Sequence, residues 1–140
     1  MAMYHSWDSQ NAWLRQIHAH NYLFVNPRTA RASGIEDGGW LWVESQWGRV
    51  RCMGRYSEAV EPGTVWTWNA IGKQPGAWAL APDANEARKG FLLNHLISDS
   101  PSNSDPITGQ AGWYDVRVRI SPAEEQGVSP EFRVLKKAAA

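Results

Sequence analysis

The sequence predicts a mainly β fold with short helices, closed into a barrel. Three observations predict it. Six or seven short runs are apolar or alternate apolar with polar residues, and Pro, Gly, Asn and Asp separate them at close intervals. Only two short stretches carry helical spacing ahead of the middle of the chain. Closure into a barrel is the arrangement that leaves the fewest strand edges unpaired.

The elements follow in order. "NAWLRQIHAHN" spaces Trp13, Leu14 and Ile17 as one helix of two or three turns, with Ser9 or Asn11 as its cap. "NYLFVNP" is a strand stopped by Pro27, and "RTARASGIEDGGW" holds a second short helix closed by Gly34. "WLWVESQWGRVRCMGRYS" is a hairpin turning at Gln46, Trp47 and Gly48, and "VEPGTVWTWNA" adds a strand after a Pro-Gly turn. "IGKQPGAWALAPDANEARKG" is a surface excursion with one helical turn over "DANEARKG". After "FLLNHLIS" and the polar loop "DSPSNSDPITGQ", the segment "WYDVRVRI" alternates Val116, Val118 and Ile120 with Arg117 and Arg119, as a half-buried strand does. The tail over 121–140 is expected to be loosely held.

At 140 residues and 43% hydrophobic content the chain is one domain, 1–140, able to bury about two-thirds of its surface. Lys plus Arg equal Asp plus Glu at 14 each, so nothing points to nucleic acid or an anionic membrane as partner. No apolar run approaches the roughly 20 residues of a spanning helix, which predicts no direct membrane insertion; the compartment, cytoplasmic or periplasmic, stays open. The lone Cys52 excludes an internal disulfide framework and a multi-thiolate metal site within the chain, and its strand context suits a structural thiol. His18 and His20, two apart, do not share a helix face as a metal pair would. The nine tryptophans are expected mostly as core or packing aromatics.

By local chemistry alone the polar clusters have structural readings. Ser9 and Asn11 can cap the first helix and leave His5 on the surface. Asn94, between apolar flanks, suits a turn amide bonded to nearby backbone. Asp105 before Pro106, with Gly109 following, makes a turn.

Four blocks in order, "YHSWDSQNAWL", "VNPRTARASGIEDGGWLWVESQWGRVR", "VEPGTVW" and "LLNHLIS...SNSDPITGQAGWYDVRVRI", resemble the C-terminal cofactor-binding domain of the molybdopterin oxidoreductases, the dimethyl sulfoxide reductase family. Within that family "NAIGKQPGAW" and "NSDPITGQAGWYDVRVRI" are most similar to sulfite-oxidising and polysulfide or thiosulfate reductase subunits. The resemblance implies a double-psi β-barrel and part of the site for molybdopterin guanine dinucleotide, present as the bis form with molybdenum in the complete enzyme. It also implies partners: the remaining domains of a larger catalytic subunit, together with an iron–sulfur electron-transfer subunit. Since the first block follows Met1 without lead-in, the chain is expected to be a fragment of that larger subunit.

Under the resemblance, His5, Ser6, Trp7, Ser9, Gln10 and Asn11 become a donor-rich loop suited to a pyrophosphate, which takes N–H and hydroxyl donors as well as point charges. Asn94, followed two residues later by Leu96, matches a family position against the cofactor, where an amide can read a donor and acceptor edge. Gln110, just past Gly109, occupies a place the family sets against the pterin. Asp105 either fixes that loop or meets the guanine. No catalytic group and no metal ligand is expected within the chain, since the family's molybdenum ligand and cluster cysteines come from elsewhere. Two other function classes remain: a small barrel enzyme with its own site, for which no nucleophile, base and orienting group stand out, and an interaction domain presenting exposed tryptophans.

Overall fold

The computed structural model describes residues 11–17, 20–69, 91–98, 100–113, 116–124 and 132–134. The short helix α1 (Ala12–Ile17) leads into strand β1 (Leu23–Val25), helix α2 (Pro27–Ala32), the hairpin strands β2 (Trp40–Glu44) and β3 (Gly48–Tyr56), and β4 (Val65–Thr67). Two 3-10 turns, Leu93–Leu96 and Pro101–Asn103, precede β5 (Arg119–Pro122) and β6 (Phe132–Val134).

Local chemistry accounts for α2 at both ends. Asn26 accepts the Arg28 N–H at 2.9 Å and Pro27 fills the first helical position. At the other end Gly34 takes φ +69°, a conformation glycine adopts without Cβ strain. That reversal lets Gly34 and Ile35 donate back to Arg31 and Ala30 at 3.1 and 2.9 Å, so the last carbonyls are satisfied. Ala30 and Ile35 are both buried, which pins the turn to the core.

The strands join in the order β4-β1-β3-β2-β5, with β6 also on β3. β1 runs parallel to β3, pairing Leu23 with Gly54, while the other ladders are antiparallel. Period-two alternation sends Leu41, Val43, Val50 and Cys52 inward to meet Leu23, Val25, Phe91 and Leu96 in one cluster. Gly54 leaves room for its same-face neighbour across the β2–β3 ladder, since a Cβ there would stand 2.7 Å from Leu41 Cδ2.

Three expectations need correction. The closed barrel is not what the described residues form: β4 and β5 end the strand path and no ladder joins them. The stretches around Leu93–Leu96 and Pro101–Asn103 spend their N–H groups locally, His95 on Leu92, Ile97 on Asn94 and Ser104 on Pro101, and so offer no ladder there. The tail is not wholly loose, because Ser121 and Pro122 extend β5 and Phe132–Val134 pairs with residues 48–50 of β3. The core is mainly aliphatic with Phe91 and Cys52 among it, and no described tryptophan is one of its buried residues, so the described indoles take the packing role and not the core one. Trp40 and Trp42 face away from the cluster on β2, with the Arg51 and Arg49 guanidinium groups 5.1 and 3.9 Å from their rings, while Trp13 is 79% exposed. An indole is stable half-wet when a cation covers its face. Trp7, Trp78 and the expected helical turn over "DANEARKG" lie outside the described residues.

Candidate functional site

The segment leading into "LLNHLIS" is anchored by its apolar residues. Phe91 and Leu96 are buried in the core, and the 3-10 turn between them leaves Asn94 exposed on the other side. Among the described residues its side-chain amide makes no hydrogen bond.

The following loop is built from its own polar side chains. Ser98 Oγ accepts the Ser100 N–H at 3.1 Å and Asn103 Nδ2 at 2.9 Å. Asp105 Oδ1 accepts the N–H groups of Ile107 and Thr108 at 3.1 and 2.7 Å and the Thr108 hydroxyl at 2.9 Å. Thr108, through its N–H first and its hydroxyl next, holds the Asp105 carboxyl below the ordinary carboxylate range. The backbone then closes the turn: the Gly109 N–H donates to the Asp105 carbonyl and the Asp105 N–H to the Gln110 carbonyl, both at 2.8 Å. Gly109 takes φ +71° to make that return possible. A bridge between Ser104 and Ala111 completes a small hairpin that presents Gln110 at its end.

The two amides converge. Asn94 and Gln110 line one open pocket of about 400 Å³, together with Asn69, Ser98 and Trp113. Asn69 comes from the end of the β4 segment, which Asn21 ties down by donating from Nδ2 to the Trp68 carbonyl at 2.9 Å. The Gln110 side chain, like that of Asn94, makes no hydrogen bond among the described residues. An indole, the two amides of Asn94 and Gln110 and a third amide from Asn69 suit a flat heterocycle with a mixed donor and acceptor edge.

The other residues stand apart from this pocket or outside the described structure. His5, Ser6, Trp7, Ser9 and Gln10 lie outside the described residues. Asn11 is described, and its Oδ1 accepts the Trp13 and Leu14 N–H groups at 3.0 and 3.4 Å, the capping role. Asp105 does not line the pocket, and its Oδ1 oxygen is engaged within the loop. Burial holds His95 below the ordinary imidazole range and pushes the Cys52 thiol up, which keeps that sulfur protonated and unreactive. Among the described residues no three His, Cys, Asp or Glu side chains are grouped as a metal would need, and no helix is long and apolar enough to cross a membrane. Sequence reasoning missed Asn69 and Trp113. Their signal was a polar or amphipathic residue at the end of a strand pattern, "WTWN" and "QAGWY", too common to single out.

A family model described as Molydopterin dinucleotide binding domain matches residues 1–127. A sulfite dehydrogenase subunit of Allochromatium vinosum is 63% identical over 98% of this chain, which spans 15% of that protein. The thiosulfate reductase molybdopterin-containing subunit of Salmonella typhimurium is 28% identical over 56% of this chain and 10% of its own length. The solved structure of acetylene hydratase from Pelobacter acetylenicus superposes with a TM-score of 0.59 at 20% identity, covering 86% of this chain and 18% of that one. The last is a likeness of fold.

Proposed function

This chain belongs to the molybdopterin dinucleotide binding domain family, and on that footing we propose that it is the C-terminal cofactor-binding part of a molybdenum oxidoreductase acting on sulfur oxyanions. The observation that carries the reading is the convergence of Asn94 and Gln110, two amides without a hydrogen bond among the described residues, on one pocket beside Trp113. The 63% identity to a sulfite dehydrogenase subunit and the likeness to a thiosulfate reductase subunit support sulfur oxyanions as the substrate class.

In this reading Asn94 and Gln110 hold the edge of a pterin or guanine by hydrogen bonds. Trp113 offers its indole as an apolar wall, and Asp105 keeps Gln110 in place by ordering its loop. The donors of the opening stretch, His5, Ser6, Ser9 and Gln10, with Trp7 beside them and Asn11 Nδ2 following, receive the pyrophosphate. The dinucleotide, in its bis form with molybdenum, supplies the two-electron redox chemistry when bound. This chain's residues only bind and orient it, and turnover belongs to the complete subunit with its iron–sulfur partner. The double-psi barrel is the finer form of the fold that this reading carries.

The test is cofactor content in the complete enzyme. Asn94→Ala and Gln110→Ala are expected to lower the guanine nucleotide released on denaturation, each lost neutral hydrogen bond weakening retention by about 0.5–1.5 kcal/mol, with sulfite oxidation falling in proportion. Full cofactor content in the double variant would overturn the assignment.

A further inference from the structure

Beside the amide pocket, on the other side of the chain at 110–113, is a second concavity of about 380 Å³ whose walls include Ser45, Gln46, Ser98, Asn103, Gly112 and Arg117. Ala111 and Trp113 face the first pocket and Gly112 the second, as alternation along an extended segment requires. Ser98 is common to both.

We propose that this second pocket is a binding site for a small oxyanion of the phosphate or sulfite class, adjoining the site of Asn94 and Gln110 and using neither amide. Two buried serines carry the argument. Ser45 Oγ accepts the N–H groups of Trp47 and Gly48 at 3.1 and 3.3 Å. Ser98 Oγ accepts from Ser100 and Asn103 at 3.1 and 2.9 Å. A hydroxyl has two lone pairs and one proton, so with both lone pairs engaged each serine has only a donor left to offer. Ser45 is 5% and Ser98 7% exposed, and both line this concavity, Ser98 from the wall it shares with the amide pocket.

The charge agrees with the donors. Arg117 is exposed at the pocket and forms no ion pair with a described residue, and the described walls hold no carboxylate. A planar guanidinium set against two hydroxyl donors complements several oxygens on one centre and offers nothing to a cation. Gly112 keeps the wall thin: its N–H donates to the Asn103 carbonyl at 3.0 Å, and a Cβ at Gly112 would lie 3.2 Å from that oxygen. Free sulfur oxyanions and the phosphates of a larger ligand share this chemistry.

The experiment is calorimetric titration of the full chain at low ionic strength with sulfite, inorganic phosphate and inorganic pyrophosphate, on the unaltered protein and on Arg117→Gln, Arg117→Lys and Gln110→Ala. Amide spectra confirm that each variant is folded. Saturable binding that weakens about tenfold or more in Arg117→Gln, recovers in part in Arg117→Lys and is indifferent to Gln110→Ala is the expected result, the loss matching one charge-assisted hydrogen bond. Similar affinity for sulfite and phosphate identifies a free oxyanion, whereas a marked preference for pyrophosphate would make the pocket part of the dinucleotide site and overturn the proposal. Absence of saturable binding, binding unchanged by Arg117→Gln, or binding lost in Gln110→Ala would each overturn the proposal. The first two leave the dinucleotide reading standing, because that reading does not use Arg117.

Discussion

Asp105 and Gln110 are locked to each other through the backbone: the Asp105 N–H donates to the Gln110 carbonyl at 2.8 Å, while the Asp105 carbonyl receives the Gly109 N–H. The residue that presents an amide to the pocket is therefore positioned by one that never reaches it.

Asp105→Ala should loosen this loop and weaken cofactor retention without unfolding the protein, since the residue is exposed. The pH dependence has a definite sign. A carboxyl whose folded value lies below its unfolded one contributes order that is complete above the ordinary carboxylate pKa of about 4 and is lost as pH falls through the depressed value. The protection of the Thr108 amide, its exchange rate relative to the intrinsic rate at each pH, should fall on acidification below that range in the native protein. In Asp105→Asn the same amide should exchange with no such step.

Gly54→Ala should destabilise the fold by about 1–3 kcal/mol, the range for overpacking a filled core. The added methyl would meet Leu41 Cδ2 at 2.7 Å, and Leu41 is fully buried, so its side chain has little room to yield. Denaturant titration should show a lower midpoint with an unchanged slope. An unchanged midpoint would mean that the Leu41 side chain yields to the added methyl without cost.

Asn26→Ala removes two bonds at once: the cap to the Arg28 N–H and the Nδ2 bond to the Val60 carbonyl, each 2.9 Å long. A lost cap alone costs about 1 kcal/mol, and Val60, 8% exposed, leaves its carbonyl short of a partner. Asn26→Asp retains the cap acceptor but not the donor. Its stability should fall between those of Asn26→Ala and the native protein in thermal melts.

Cys52 should resist alkylation in the folded protein and react fully once denaturant unfolds it. Its thiol is buried, and desolvation disfavours the thiolate. Rapid labelling under native conditions would mean that β3 opens far more readily than its pairing with β1, β2 and β6 implies.

Short-range physics made part of this structure legible from the order of the residues. Asn26-Pro27 opens a helix and Gly34 ends it, the runs on either side of Trp47 and Gly48 pair as a hairpin, and Val116, Val118 and Ile120 stay partly buried while Arg117 and Arg119 face solvent. Each of those outcomes rests on contacts within a few residues, where turn geometry and period-two alternation suffice. Asn94 and Gln110 were legible as candidates only through the family pattern, because an amide flanked by leucines and another after a glycine are equally good turn residues. Long-range packing supplied the remainder. It set β1 parallel against β3, brought Phe132–Val134 back onto residues 48–50, and turned Trp40 and Trp42 outward under arginines. It also placed Asn69, Asn94, Gln110 and Trp113 around one pocket. Pairings between distant segments depend on which buried surfaces fit once the whole chain closes, and a local pattern of apolar and polar residues carries no information about its partner.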